Sequence, residues 1–279
     1  MTASGIGQDG VVGPQAVFVL RQSPDWEGFA ADHARGLRVD PARYVPPFHI
    51  PAFPSQIERC IARWNAVFAM DFFSCRAELR LIARTTLDAV ANGIVLTQAD
   101  LPHRLPRGNY RLFFLDDDDW FAPDTSERLI RVGDEDVAVF PLLRLDVPLL
   151  TFIRQWTFLS PVIGLPNRFS HRYQTNNYAL HPRICVPETL SAMSDHMSAS
   201  DAADRLGLRD VYHETLLSVT NKSPASASVI IRILEEETRF RSHVAAFVAT
   251  LRGLMLPPHA RWLREPIART AELFARALG

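Results

Sequence analysis

The sequence predicts an α/β domain built on a mostly parallel sheet and completed by a helical C-terminal extension. Three observations carry that expectation. Short apolar runs alternate with amphipathic helical segments up to about residue 180. From about residue 187 onward the pattern is helical. No linker, repeat or low-complexity tract divides the chain, so residues 14–279 read as one domain behind a disordered leader at 1–13.

The elements follow in order. Ala16–Leu20 is an apolar run ending in Arg21-Gln-Ser-Pro24, a buried strand and then a loop. Asp25 to Leu37 is a candidate short helix, and Val39 to Pro54, with five prolines, reads as extended. Ser55-Gln-Ile-Glu58 is a capping box. The helix behind it would place Ile57, Cys60, Ile61, Trp64, Val67 and Phe68 on one face. A second helix, roughly Cys75 to Asn92, would bury Leu79, Ile82, Leu87 and Val90, with Gly93 as its cap. Gly93–Thr97 and Tyr110–Leu115 read as strands. Asp124-Thr-Ser-Glu127 would cap a short helix closing at Gly133. Asp136–Leu145 and Arg172–His181 are further expected strands. Helices are expected over Pro187–Leu206, Ser226–Glu237, Arg239–Leu254 and His259–Leu278.

Composition narrows the function classes. Of 279 residues 47% are apolar and 22% charged, and the net charge is −1. Bulk electrostatics therefore give no reason to expect nucleic-acid binding. Basic character resides almost wholly in arginine, with Lys222 the single lysine. Cys60, Cys75 and Cys185 are widely spaced and odd in number, as expected of reduced thiols in a cytoplasmic protein. The N-terminal stretch lacks the basic and apolar regions of a signal peptide, and no window holds the ~18 apolar residues of a membrane span.

One segment is electrostatically costly. In Phe113-Phe-Leu-Asp-Asp-Asp-Asp-Trp120 an apolar strand runs into four adjacent carboxylates. Two unit charges ~4 Å apart repel by about 1 kcal/mol in water and about 4 at an effective dielectric near 20. A divalent cation reverses that sign, and Mg²⁺ and Mn²⁺ take both carboxylate and phosphate oxygens. In an extended chain Asp116 and Asp118 share one face and Asp117 and Asp119 the other, so Asp-x-Asp is the natural clamp. Ligands of open α/β sheets collect outside the carboxyl ends of strands, where this run lies. The alternative is a solvated acidic turn.

The stretch Phe113 to Asp124 resembles the Asp-x-Asp segment of GT-A glycosyltransferases, especially the family-2-like and rhamnosyltransferase-like groups. About a hundred residues precede the aspartates and the apolar "DVAVFPLLRL" follows, which suits that layout. The resemblance implies a GT-A fold and a nucleotide-sugar donor held through Mg²⁺ or Mn²⁺. By position, Asp116 and Asp118 would be the ligands, with Asp119 assisting and Asp117 beside the diphosphate. The opening "VFVLRQSPDW" departs from the family-2 pattern, so the base of the donor is not transferred.

Further candidates complete the picture. Gln174, Asn176 and Asn177 offer donors and acceptors to acceptor-sugar hydroxyls; a polar edge strand or turn is the alternative. Asp195, with His196 beside it, is a candidate base for the acceptor hydroxyl, against a helix-surface aspartate. Lys222, next to Asn221 in a loop of small hydroxyl residues at a helix start, suits phosphate. His213 is a candidate third metal ligand or diphosphate contact, or else a hydrogen-bonded structural histidine. Trp120 follows the acidic run and is a candidate stacking platform for a sugar or base. The acceptor would be a saccharide or a lipid-linked hydroxyl. The arginine-studded C-terminal helices offer peripheral contact with an anionic membrane surface, although plain packing with solvated arginines is the favoured reading. Two rivals stay open: an Mg²⁺-dependent phosphohydrolase of the haloacid-dehalogenase kind, and a non-catalytic Ca²⁺-dependent saccharide-binding protein.

Overall fold

The computed structural model describes residues 14–21, 32, 35, 61–90, 92–116, 118–146, 159–162, 173, 176–194, 196–225, 237–256 and 258–279. The leader, the helix expected at 25–37, the proline-rich stretch, the Ser55 capping box and most of Ser226–Glu237 lie outside these residues, as do Asp117, Gln174 and Asp195.

The first strand, β1 (Gln15–Leu20), is second from the edge of a six-stranded sheet. It pairs in parallel with β2 (Ile94–Thr97) and with β3 (Tyr110–Leu115). Both faces of β1 and β3 are buried, which explains their largely apolar sequences, while β2 at the edge buries only Leu96. Val17, Val19, Leu112 and Phe114 enter one core, and the alternate residues Ala16, Phe18, Phe113 and Leu115 enter the other. Beyond β3 the order continues through β8 (Tyr178–Leu180), β5 (Val137–Val139) and β9 (Asp210–Tyr212). β8 is antiparallel to both neighbours, and β5 and β9 are parallel. Five of the six strands therefore share one direction: this is an α/β protein with a mostly parallel mixed sheet, compatible with a Rossmann-like arrangement.

Helix α1 (Phe72–Val90) buries Leu79, Ile82 and Val90, as its periodicity requires, while Leu87 is only partly covered. It starts three residues earlier than the sequence suggests because Asn65 and Asp71 side chains accept from the free amides of Phe72 and Ser74. Residues 61–67 are helical, and Ile61, Trp64 and Phe68 are buried. Gly93 is not a left-handed cap. A Cβ there would stand 2.7 Å from the Phe18 ring and still closer to the Ala16 carbonyl, so the glycine admits β1 at close range.

The predicted strand Asp136–Leu145 is two strands in different sheets. After β5 the chain turns at Pro141, which has no N–H for a ladder. It continues as β6 (Leu142–Asp146) in a small sheet of order β4-β10-β6-β7. Here β4 is Trp120–Phe121, β7 is Leu159–Val162 and β10 is Ser218–Lys222. β10 runs parallel to β6 and antiparallel to β4. The expected capping box at Asp124 does not form. Asp124 makes no side-chain cap bond and pairs instead with Arg128, and the helix α2 is only Thr125–Leu129.

The C-terminal part is not purely helical, because β9 and β10 fall within it. Pro187–Leu206 divides into α3 (Pro187–Met193) and α4 (His196–Arg205), which cover one face of the large sheet. Helices α5 (Glu237–Gly253) and α6 (Arg264–Ala277) pack with α1 around Trp64, Phe72, Phe247 and Phe274. Among the described residues no helix is long and apolar enough to cross a membrane.

Candidate functional site

The acidic run leaves the carboxyl end of β3 and turns at once, with the Asp119 amide donating to the Asp116 carbonyl at 3.4 Å. Each described aspartate meets a different segment. Asp116 lies 3.9 Å from Arg21, the residue that follows β1. The Arg21 guanidinium also sits over the Phe114 ring and 3.5 Å from the Tyr178 hydroxyl. Asp118 faces Arg76, in the first turns of α1, at 3.3 Å. Arg76 is buried and donates also to the Ala225 carbonyl at 3.5 Å.

Asp119 differs in kind. It is 2% exposed, and both oxygens are engaged. Oδ1 accepts the Asn221 backbone amide at 2.7 Å, and Oδ2 accepts the Asn176 side-chain amide. Asn176 adopts φ 64°, a left-handed conformation that asparagine tolerates better than most residues. From that bend its side-chain oxygen accepts the Asp116 amide at 2.9 Å, and its carbonyl accepts the Ser218 hydroxyl. The charge that looked to require an external cation is therefore met in part by the chain itself, through two guanidiniums and two amides.

The expected site residues divide accordingly. Asp116, Asp118, Asp119, Asn176 and Asn221 come together. Asp119 and Asn176 hold the loop in shape and present no open face. Asn177 is buried, and its carbonyl accepts the Phe140 amide at 2.7 Å. Trp120 is a correction: it is fully buried in the helical core, where β4 carries it inward, so it is no exposed stacking platform. Lys222 ends strand β10 opposite Asp146 rather than lying in a loop at a helix start. His196 opens α4. His213 is drawn to Glu135, with Nε2 2.7 Å from Oε1, and not to the aspartates.

The donor set suits a hard cation at two positions. The Asp116 and Asp118 side chains are 30% and 28% exposed, so each can present oxygen to the solvent side. One or two carboxylates completed by water and phosphate is how Mg²⁺ is usually held. Asp119 cannot join them without giving up a buried amide. Among the described residues no group of three or more His, Cys, Asp or Glu side chains could form a complete cage. Close by, Asn221 Oδ1 and Thr220 Oγ1 are buried without a hydrogen-bond partner among the described residues, an uncommon state for polar atoms in a folded core.

Sequence reasoning missed Arg21, Arg76 and Glu135. No local signal marks them, since their partners lie far away in the chain. Fold and site together define an α/β protein with an acidic, arginine-flanked loop at the carboxyl edge of its sheet. No family model and no curated protein matches the chain.

Proposed function

We propose that the chain is a GT-A-type glycosyltransferase that moves a sugar from a nucleotide-diphosphate donor to a hydroxyl of a saccharide or lipid-linked acceptor, with Mg²⁺ or Mn²⁺. The observation that carries this reading is the pair Asp116 and Asp118, part-exposed at the carboxyl end of a central parallel strand. That is where open α/β sheets receive their ligands. Asp116 and Asp118 would hold the ion; when bound, it offsets the negative charge that gathers on the departing diphosphate. Arg21 and Arg76, already directed at the two carboxylates, add fixed positive charge around the same point, where transition-state charge is best stabilised by groups that need not reorganise. Asn176 and Asp119 keep the loop in register. The cysteine content suits a cytoplasmic setting, where nucleotide sugars are made.

The test is thermal denaturation against a panel of UDP-, GDP- and dTDP-sugars with and without Mn²⁺. A ligand at a hundred times its Kd stabilises by about 2.7 kcal/mol. The expected shift requires both diphosphate and metal, and vanishes in Asp118→Ala. A shift that ignores the metal, or none with any donor, would refute the reading.

A further inference from the structure

The strongest unexplained chemistry lies three strands away from the aspartates, at His213. We propose that His213, oriented by the buried carboxylate of Glu135, is the general base that takes the acceptor's hydroxyl proton; this rests on the transferase reading above.

The placement follows from register. The ladders pair Phe113 with Ala179, Ala179 with Ala138 and Ala138 with Val211. Two residues further along, the same registers put Leu115, Asn177, Phe140 and His213 on one level. The Phe140 amide bonds the Asn177 carbonyl at 2.7 Å and the His213 amide bonds the Val139 carbonyl at 2.8 Å, as that level requires. His213 thus stands at the same carboxyl edge as the acidic loop, which begins one residue after Leu115. Three strand spacings of about 4.8 Å separate β3 from β9, about 14 Å in all. That is too far for one ion to be shared, and it is comparable to the combined length of a diphosphate and a sugar ring.

The side chain is held as a base should be. Its ring stacks on Phe140, with centroids 5.2 Å apart and planes 23° apart. Nε2 meets Glu135 Oε1 at 2.7 Å. Glu135 is 5% exposed and His213 is 28% exposed, so the carboxylate is sealed while the imidazole opens to solvent. An ionised carboxylate can only accept, so it selects the tautomer with hydrogen on Nε2. The lone pair is then on Nδ1, the ring nitrogen nearer the backbone, which has no hydrogen-bond partner among the described residues. The same carboxylate–imidazole logic orients catalytic histidines on unrelated folds. Two further features maintain the pair. A Cβ at Gly133 would stand 2.7 Å from Glu135 Oε2, so a side chain there would shift the carboxylate from its present position. Arg111, buried on the same face of the sheet, has its own pKa lowered by burial and supported by the charge of Glu135.

In the reaction, the acceptor oxygen forms a bond to the anomeric carbon. The bond from that carbon to the donor's phosphate oxygen breaks, and its electron pair leaves on the nucleoside diphosphate. The hydroxyl proton passes to His213 Nδ1 and then to solvent. Glu135 is a positioning residue, since it acts through the imidazole.

The experiment has two arms. ¹⁵N spectra of the imidazoles at pH 8, with the His213 signal identified by its loss in His213→Gln, should show hydrogen on Nε2 and a bare Nδ1. Glu135→Gln should shift that pattern toward hydrogen on Nδ1. In the second arm, release of nucleoside diphosphate from the donor panel is followed with water or added saccharide as acceptor. His213→Gln should lower kcat about 100-fold or more, the usual worth of a general base, with donor KM within about threefold. A wild-type Nδ1 that carries the proton, or a pattern indifferent to Glu135→Gln, overturns the proposal. So does a His213→Gln enzyme that keeps its kcat; that result leaves the transferase reading standing. A wild type that turns over no donor overturns both.

Discussion

Removing the Asp119 carboxylate should destabilise the protein more than removing either neighbour. In Asp119→Ala the Asn221 amide and the Asn176 side-chain amide both lose their acceptor in a site that is 2% exposed. Hydrogen bonds to a charged group contribute roughly 1.5–3 kcal/mol each, and a buried donor left unpaired costs about 1–3. Two such donors give an expected loss of about 3–5 kcal/mol. Asp119→Asn keeps one acceptor oxygen but turns an NH₂ toward the second donor, so about half that loss is expected. Urea unfolding followed by fluorescence measures both, and the slope should be unchanged while the midpoint falls. Asp118→Asn keeps an oxygen facing the buried Arg76 and removes only the charge of a part-exposed side chain, so it should cost far less. A loss below about 1 kcal/mol for Asp119→Ala, or an equal loss for Asp118→Asn, would refute the division between a structural and an open aspartate.

Other perturbations follow from the same geometry. Gly93→Ala drives a methyl into β1 and should lower stability by about 1–3 kcal/mol, the usual cost of overpacking, read as a drop in the urea midpoint. Burial pushes the Cys75 and Cys185 thiols up to about 12, so in a Cys60→Ser background neither should react with iodoacetamide at pH 8 until the protein unfolds. Asp100 has its pKa lowered to about 2 by the Thr97 amide, the Thr97 hydroxyl and Arg104. Its contribution is present above the unfolded carboxylate value and disappears as the pH falls through about 2. NMR titration of its carboxyl should show that low midpoint, and Thr97→Ala should raise it.

What could be read from the sequence was whatever local pattern determines. Tyr110–Leu115 has the observed bounds of β3, because six apolar or amphipathic residues buried on both faces leave little choice. β1 and α1 were legible for similar reasons. The short strands β9 and β10 were not. "DVY" and "SVTNK" have weak strand character, and only pairing with β5 and β6 makes them strands. The split at Pro141 was written in the chain but overridden by the apolar continuity around it. Trp120 looked available because it follows charges, yet the turn that precedes it reverses its direction into the core. The acidic run itself was found, but its counter-charges were not. Arg76 lies 42 positions before Asp118, and the Asn221 amide lies 102 positions after Asp119, separations that no local window spans.

The chain crosses from the large sheet to the small one after β3 and again after β5, and Asp119 grips both sides of that seam, Asn176 on one and Asn221 on the other. The loop is therefore a staple as well as a mouth. Whatever meets Asp116 and Asp118 does so at a rim that a buried clasp already holds in place.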